Sequence, residues 1–373
     1  MMAAILICGS LVLSSCTGDN YDNPVQPEPA EYKGVPLVIL DTDIGSSTDD
    51  LFAMEMLYRY EDEGRCKLLG IVVDRPGEGN AALADLMNTY FGYGSVPIGL
   101  ERNGIKNPKV FIDYKNLPNH TTDKGELMFK RTVSDYSALP DGWQLYRRLL
   151  AAQPDHSVNI CSIGFKNSLV QLLASQPDHS VSICSTGFVS SLARLLASEP
   201  DDLSPLSGVE LVRKKVKCLY LMAGVFTSSE EADYNFLQDP AATRKLYELW
   251  PRDVAVVFSP MEVGNDIEYR PELVLSDINW TDVHPIKQVY MKYNCDTGQK
   301  MWDPLTVINA VEGDAVFTLS EPGTVTLTEK FSTRFTPTPN GNERYQKQGS
   351  KAWCDEMLNK IRKYTISNVI CNV

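Results

Sequence analysis

The chain has no long basic run. Its 373 residues carry 35 Lys and Arg against 48 Asp and Glu, for a formal net charge of −13, and the densest positive stretch is the "RKK" at Arg213–Lys215. Nucleic acid is held by neutralising its phosphates with Lys and Arg, so a nucleic acid polymer is excluded as a partner. Acidity of this size fits a soluble body better than one lying on a membrane surface. Paired-cysteine motifs are missing too. Setting aside Cys8 and Cys16, the remaining seven (66, 161, 184, 218, 295, 354 and 371) are scattered, odd in number and without a CxxC. Neither a zinc site nor a disulfide framework is read from them. Several fall inside apolar runs such as "NICS" and "KCLYL", where cysteine packs as a small core residue. No linker appears after residue 34, and the remaining length is enough to bury one large core.

The first residues follow other rules. "MMAAILICGSLVLSSC" (Met1–Cys16) is apolar and uncharged, too short to span a membrane as a mature helix and of the length of a signal h-region. "LVLSSC" resembles the lipobox of bacterial lipoproteins, which implies removal of residues 1–15, a lipid on Cys16 and a place in the bacterial cell envelope. A plain cleaved signal peptide is the alternative, and the absence of a basic n-region points to a start upstream of Met1. Residues 16–34 are polar and Pro-rich with almost nothing to bury, the composition of a disordered tether. Residues 35–373 are then one folded domain.

Within that domain, strand-like apolar runs alternate with helical patterns. The expected class is therefore α/β: an open, mostly parallel, Rossmann-like sheet with helices on both faces. "VPLVIL" (35–40), "KLLGIVV" (67–73), "SVPIGL" (95–100), "CLYLMAG" (218–224) and "DVAVVFS" (253–259) read as strands. "DDLFAMEMLYRY" (49–60), "NAALADLMNTYFG" (80–92), "DPAATRKLYELW" (239–250), "DPLTVINAVEG" (303–313) and "KAWCDEMLNKIRKYT" (351–365) read as helices. Residues 101–140 form a loop-rich excursion, and "AVFTLS" with "TVTLTE" (315–329) reads as a hairpin. Residues 153–175 and 176–198 are a tandem repeat, identical at 17 of 23 positions. Two copies are too few for a solenoid, so the expectation is a duplicated βα unit with one copy in the sheet and the other added or peripheral.

Chemistry gathers in "LDTDIGSSTDDLFAM" (Leu40–Met54), where Asp41, Asp43, Asp49 and Asp50 crowd into ten residues between a strand and a helix. Asp41 and Asp43 follow the strand at its carboxyl end, where open parallel sheets bind ligands. Asp49 and Asp50 open the helix. Capping of a helix first turn accounts for one such aspartate, but four converging carboxylates raise one another's pKa unless a cation joins them. A hard divalent ion with oxygen ligands answers that repulsion, and calcium suits an irregular loop better than octahedral magnesium.

"DTDIGSSTDD" resembles the amino-terminal aspartate signature of the nucleoside hydrolases, with a longer spacing between Gly45 and the Asp pair, like that of a divergent branch. "VVDRPGEGN" (72–80), "LMAGVFTSSEEADYNFLQDPAA" (221–242), "MWDPLTVINAV" (301–311) and the second-repeat "CSTGFVSSLARLL" resemble further motifs of the family, in the expected order. The resemblance spans about Val35 to Val311. It implies calcium-dependent hydrolysis of the N-glycosidic bond of a nucleoside or related small-molecule riboside. The ion would be held by Asp43, Asp50, Asp303 and the Thr186 carbonyl, with Ile163 in the equivalent place of the first repeat. Asp43 would be the general base. Asp49, Asn80, Asp233 (glutamate in the family) and Asn235 would bind the sugar, and Asp41 would support the loop.

Trp302 stands where many members of the family have a histidine that helps protonate the leaving base, so it lines the substrate site without supplying a proton. His156 and His179 read as surface residues. His120, in the loop-rich excursion, has the pocket within reach, and His284 precedes Pro285. Two other readings compete. Haloacid-dehalogenase-like phosphatases share a strand followed by DxD, yet they give the Asp pair and "WDP" no role. A non-catalytic, lipid-anchored nucleoside- or sugar-binding protein that keeps the metal site is favoured by Trp302, and opposed by the intact Asp43. Membrane contact is expected only through the lipid, and a homo-oligomer is left open.

Overall fold

The computed structural model describes residues 37–73, 75–100, 102, 111–141, 145, 158–162, 181–185, 193, 196–200, 206–228, 230–293, 295 and 297–366. In chain order the first elements are β1 (Leu37–Thr42), α1 (Asp49–Asp62), β2 (Lys67–Val73), α2 (Glu78–Tyr90), β3 (Ile98–Leu100), β4 (Val158–Ser162) and β5 (Val181–Ser185). There follow α3 (Gly208–Lys215), β6 (Val216–Leu221), α4 (Tyr234–Gln238), α5 (Pro240–Leu249), β7 (Ala255–Phe258), α6 (Met261–Asn265) and β8 (Glu268–Tyr269). Last come α7 (Pro271–Asp277), α8 (Pro285–Lys292), β9 (Gln299–Lys300), α9 (Trp302–Glu312), β10 (Gly323–Leu327), β11 (Thr333–Pro337), β12 (Glu343–Tyr345) and α10 (Lys351–Ile366).

Ten strands form one sheet in the order β11-β10-β12-β7-β6-β5-β4-β1-β2-β3. From β3 to β12 all neighbours are parallel; β10 alone runs against the rest, antiparallel to both β12 and β11. β8 and β9 make a separate two-stranded ribbon. The chain leaves β1 toward β2 and β3, then returns to the other side of β1 with β4 and proceeds to β7. That reversal makes the carboxyl end of β1 a topological switch point, where adjacent loops diverge and leave a crevice.

Two apolar cores cover the sheet, so a central strand such as β2 is buried on both faces, as its near-continuous apolar composition requires. Ile71 and Val73 of β2 join one core with α1, α2, α8, α9 and α10. Val72, between them, joins the other with α3 and α5. Helix α1 is buried on every side, Glu55 and Arg59 included. Cys66, Cys218, Cys295 and Cys354 are buried, in keeping with their apolar contexts. No described helix is long and apolar enough to cross a membrane.

The second repeat copy is added to the sheet, and the hairpin expectation needs correction. Both repeat copies contribute strands to the sheet, as direct neighbours: Ile160 pairs with Ile183, Cys161 with Cys184 and Ser162 with Ser185. These are the same positions of the two copies. The hairpin is placed differently. β10 pairs with β11, Val325 opposite Phe335, whereas 314–316 is a 3₁₀ turn. "AVFTLS" has only one partner-like contact, the bridge from Leu319 to Gln346. The turn "TEKFS" supplies the reversal that the sequence pattern hid.

Candidate active site

Strand β1 ends at Thr42, and its last residue begins the site's hydrogen bonding. The Thr42 hydroxyl donates to Asp50 Oδ1 at 2.7 Å and accepts from the Ile44 amide at 3.2 Å. The loop then turns through Gly45, whose φ of +108° is open to glycine and strained for other residues. Space forbids a side chain there as well: a Cβ would lie 2.6 Å from Asn80 Oδ1 and 3.2 Å from Arg75 Nη1. Helix α1 begins at once, with Asp49 and Asp50 in its first turn, where the macrodipole favours negative charge.

Residues far along the chain fasten this loop. The amides of Phe111 and Ile112 both donate to the Ser46 carbonyl at 3.1 Å. Tyr114 donates its hydroxyl proton to the Ser47 carbonyl and accepts from the Gly45 amide at 3.2 Å. Gln299, in β9, accepts from the Thr48 hydroxyl at 2.9 Å and donates to Asp49 Oδ1 at 3.3 Å. Ser47 donates to the same Asp49 oxygen, and Ser46 donates to Asp43 Oδ2 at 3.4 Å.

Helix α9 brings Asp303 in its first turn to the same place. Asp49, Asp50 and Asp303 each present a carboxylate oxygen, and the three oxygens lie within 4.8 Å of one another. All three side chains are buried, and Asp50 Oδ2 has no hydrogen-bond partner. Burial is the main cause of a raised pKa in every case. It lifts Asp49 to about 7, against the opposing hydrogen bond from Ser47. Asp50 and Asp303 are pushed well above the carboxylate range by burial and then by neighbouring aspartates. Asp43, on the wall of the same cleft, is raised to about 6 by burial, with the Arg75 charge pulling the other way.

These four carboxylates line one side of a cleft of about 280 Å³. Asp233 and Asn235 face them from the start of α4. Asp233 caps that helix by accepting from the Phe236 amide at 3.2 Å, and burial raises its pKa to about 7. Asn235 donates to the Met222 carbonyl at 3.0 Å. The rest of the lining is apolar or aromatic: Phe111, Tyr234, Met222, Met261 and Trp302. The rings of Phe111 and Tyr234 lie 4.8 Å apart, and Phe111 is 54% exposed. The Trp302 indole nitrogen donates to Met261 O and Asn265 Oδ1 at 3.1 and 3.2 Å, which leaves its ring as the available surface.

The structure therefore brings together Asp43, Asp49, Asp50, Asp233, Asn235, Trp302 and Asp303. The tight carboxylate triad includes Asp49, expected to bind sugar, and Asp43 stands beside it on the wall. Asn80 is not among the lining residues. It is buried behind Gly45, donating to the carbonyls of Arg75 and Pro76 at 3.4 and 3.2 Å. Asp41 lies in β1, paired with Val72. Thr186, Ile163, His156, His179 and Cys16 lie outside the described residues. His120 shares a 2.8 Å hydrogen bond with Tyr293 and is not part of the lining. His284 is wholly buried near Glu55, and burial lowers its pKa to about 3. Phe111, Tyr114, Tyr234, Gln299 and Arg75 were not singled out from the sequence. Only Arg75 and Tyr234 fall inside stretches resembling family motifs, and nothing local in the others marks them.

Residues 38–349 match the family described as inosine-uridine preferring nucleoside hydrolase. Among solved structures, the chain is similar to the inosine-uridine preferring nucleoside hydrolase from Bacillus anthracis, with 15% identity and a TM-score of 0.53 over 88% of this chain and 100% of that one. The purine-preferring ribonucleoside hydrolase from Gardnerella vaginalis gives 15% and 0.55 over 88% and 99%. A plant nucleoside hydrolase, PpNRh1, gives 15% and 0.55 over 88% and 98%. At this identity the three establish the shared fold. No curated protein sequence matches the chain.

Proposed function

The chain belongs to the nucleoside hydrolase family, a family of hydrolases acting on N-glycosyl compounds, and from that premise we propose that its acidic cleft cleaves the N-glycosidic bond of a riboside with calcium bound among the carboxylates. One observation carries the reading. A loop from one end of the chain and a helix from the other deliver Asp49, Asp50 and Asp303 to within 4.8 Å, and they do so inside the cleft that also holds Asp43.

The donor set fits a hard divalent cation. All its side chains are carboxylates, and the partnerless Asp50 Oδ2 is a buried oxygen that such an ion would satisfy. Asp49, Asp50 and Asp303 would hold the ion, and Asp43 and the Thr186 carbonyl are the further ligands that the family resemblance implies. When bound, the ion supplies Lewis acidity, which makes a coordinated water more acidic and fixes sugar hydroxyls in place.

Asp43 is the base in this reading. It lines the open cleft, and its carboxylate is steadied by Ser46 at 3.4 Å, so it can take a proton from water attacking the anomeric carbon. Asp233 and Asn235, fixed by the start of α4, face the sugar from the other wall. The aromatic end takes a planar leaving group between Phe111, Tyr234 and Trp302. Because the Trp302 nitrogen is committed elsewhere, that residue assists departure through its ring face. The Met1–Cys16 segment supports a location in the bacterial envelope through a lipid on Cys16.

The test is a panel of nucleosides offered to the purified protein with calcium or with chelator, with release of reducing sugar as readout. Calcium-dependent ribose release is expected, abolished in Asp43→Ala. Trp302 favours a second reading, a lipid-anchored riboside-binding protein, and ribosides bound but never cleaved would establish it. Neither binding nor cleavage would show that the substrate class is wrong.

A further inference from the structure

A cation is already built in behind the aspartate loop. Arg75 follows β2, in the turn that leads to α2, and its side chain is only 6% exposed. Its Nη1 is buried without a hydrogen-bond partner. No carboxylate of the described residues comes within ion-pair distance of it. The guanidinium packs directly against the aspartate loop, since Nη1 is 3.2 Å from the place a Gly45 side chain would begin. Asn80 fixes it from behind, by donating to the backbone carbonyls of Arg75 and Pro76. Asp43 and Asp50 both feel its charge, as does the Tyr234 hydroxyl on the cleft wall.

A buried guanidinium without a direct ion pair is costly, so something nearby must compensate it. The carboxylates that feel its charge are Asp43 and Asp50 in the cleft and Asp113 beyond it. Ionised, the four cleft aspartates together carry four negative charges, and a divalent ion adds two positive charges to the same cluster. Arg75 therefore acts in both states, with opposite effect. In the metal-free protein it attracts carboxylates that otherwise repel one another. Once the ion is present, two cations share one set of anions, and like charges at close range in a weakly screening interior repel strongly.

We propose that Arg75 is a positioning residue and counter-cation of the carboxylate site, which holds the metal-free loop together and weakens the grip on a divalent ion. This rests on the metal reading given above. It explains why a buried cation is tolerated beside a cation site, and why Asn80 is turned toward the Arg75 backbone rather than into the cleft.

The experiment is calorimetric titration of the metal-stripped protein with calcium chloride at fixed pH and salt, together with thermal unfolding in chelator. Wild type, Arg75→Met and Arg75→Lys are compared. Arg75→Met should bind calcium about tenfold more tightly or better, and its metal-free melting point should fall and recover on adding calcium. Arg75→Lys, which keeps the charge, should remain within about threefold of wild type on the same electrostatic ground. Equal or weaker calcium binding by Arg75→Met overturns the proposal, as does an unchanged metal-free melting point. If Arg75→Met does not fold without metal, the neutral Arg75→Gln is titrated in its place under the same criteria. Wild type that binds no calcium at all brings down the metal reading, and this proposal with it; wild type that binds, with no tightening in the neutral variant, refutes this proposal alone.

Discussion

Stability should fall with pH in the metal-free protein and hold nearly level with the ion bound. Asp49 is the clearest case, because it is 2% exposed and its pKa rises from 3.8 to about 7 in the folded protein. Between those values the native state holds a proton that the unfolded chain has released, so stability falls as pH rises. From pH 5 to pH 8 this one group removes about 2–3 kcal/mol from the metal-free protein. Asp50 and Asp303 shift in the same direction; because the three are coupled, their contributions do not simply add. A divalent ion takes the place of those protons. It should therefore stabilise little at pH 5 and strongly at pH 8, by about 3 kcal/mol at a hundred times its dissociation constant. Guanidinium unfolding at both pH values, in chelator and in calcium, measures all four stabilities. Metal-free stability that rises between pH 5 and 8, or a calcium increment equal at the two pH values, refutes the reasoning.

Two glycines give further tests. Gly45→Ala meets both a positive φ and Asn80 Oδ1 at 2.6 Å, so it should cost roughly 1–3 kcal/mol of stability and weaken calcium binding; an unchanged guanidinium midpoint contradicts this. Gly264→Ala puts a methyl 2.2 Å from Trp302 Cδ1, which must displace the indole that lines the cleft. Affinity for a riboside should drop about tenfold or more, following the scale of overpacking costs, and wild-type affinity by calorimetry would show that the ring does not shape the site.

The sequence announced the acidic loop because its signal is local. A strand, an obligatory glycine and two aspartates opening a helix lie within a few residues, and their order alone places them at one end of a parallel sheet. Asp303 was legible through its motif. Gln299 and Tyr114 were not, since each reaches the loop from a segment with no periodicity, and only the folded sheet sets them beside it. Asp85 is a parallel case outside the site: inside an apolar helix it gathers the amides of Thr132 and Val133 and the hydroxyl of Tyr136, which no spacing rule connects. Short elements were also silent. β8, β9 and β12 have two or three residues each, too few to establish a period. Helix α1 escaped amphipathic analysis because it is enclosed on all sides, and its acidic first turn was the usable mark. The repeat left one point open. Similarity of two copies says that both can form the same unit, and reveals nothing about whether the sheet has room for both.

That accommodation has a genetic side. β4 and β5 present the same residues at the same rungs, so a replication slip of one 23-residue unit adds or drops a whole rail of the ladder while each flanking rail meets a familiar neighbour. The distance between β1 and β6 can in this way change in discrete inherited steps, with the rim of the cleft widened or narrowed by a strand's breadth each time.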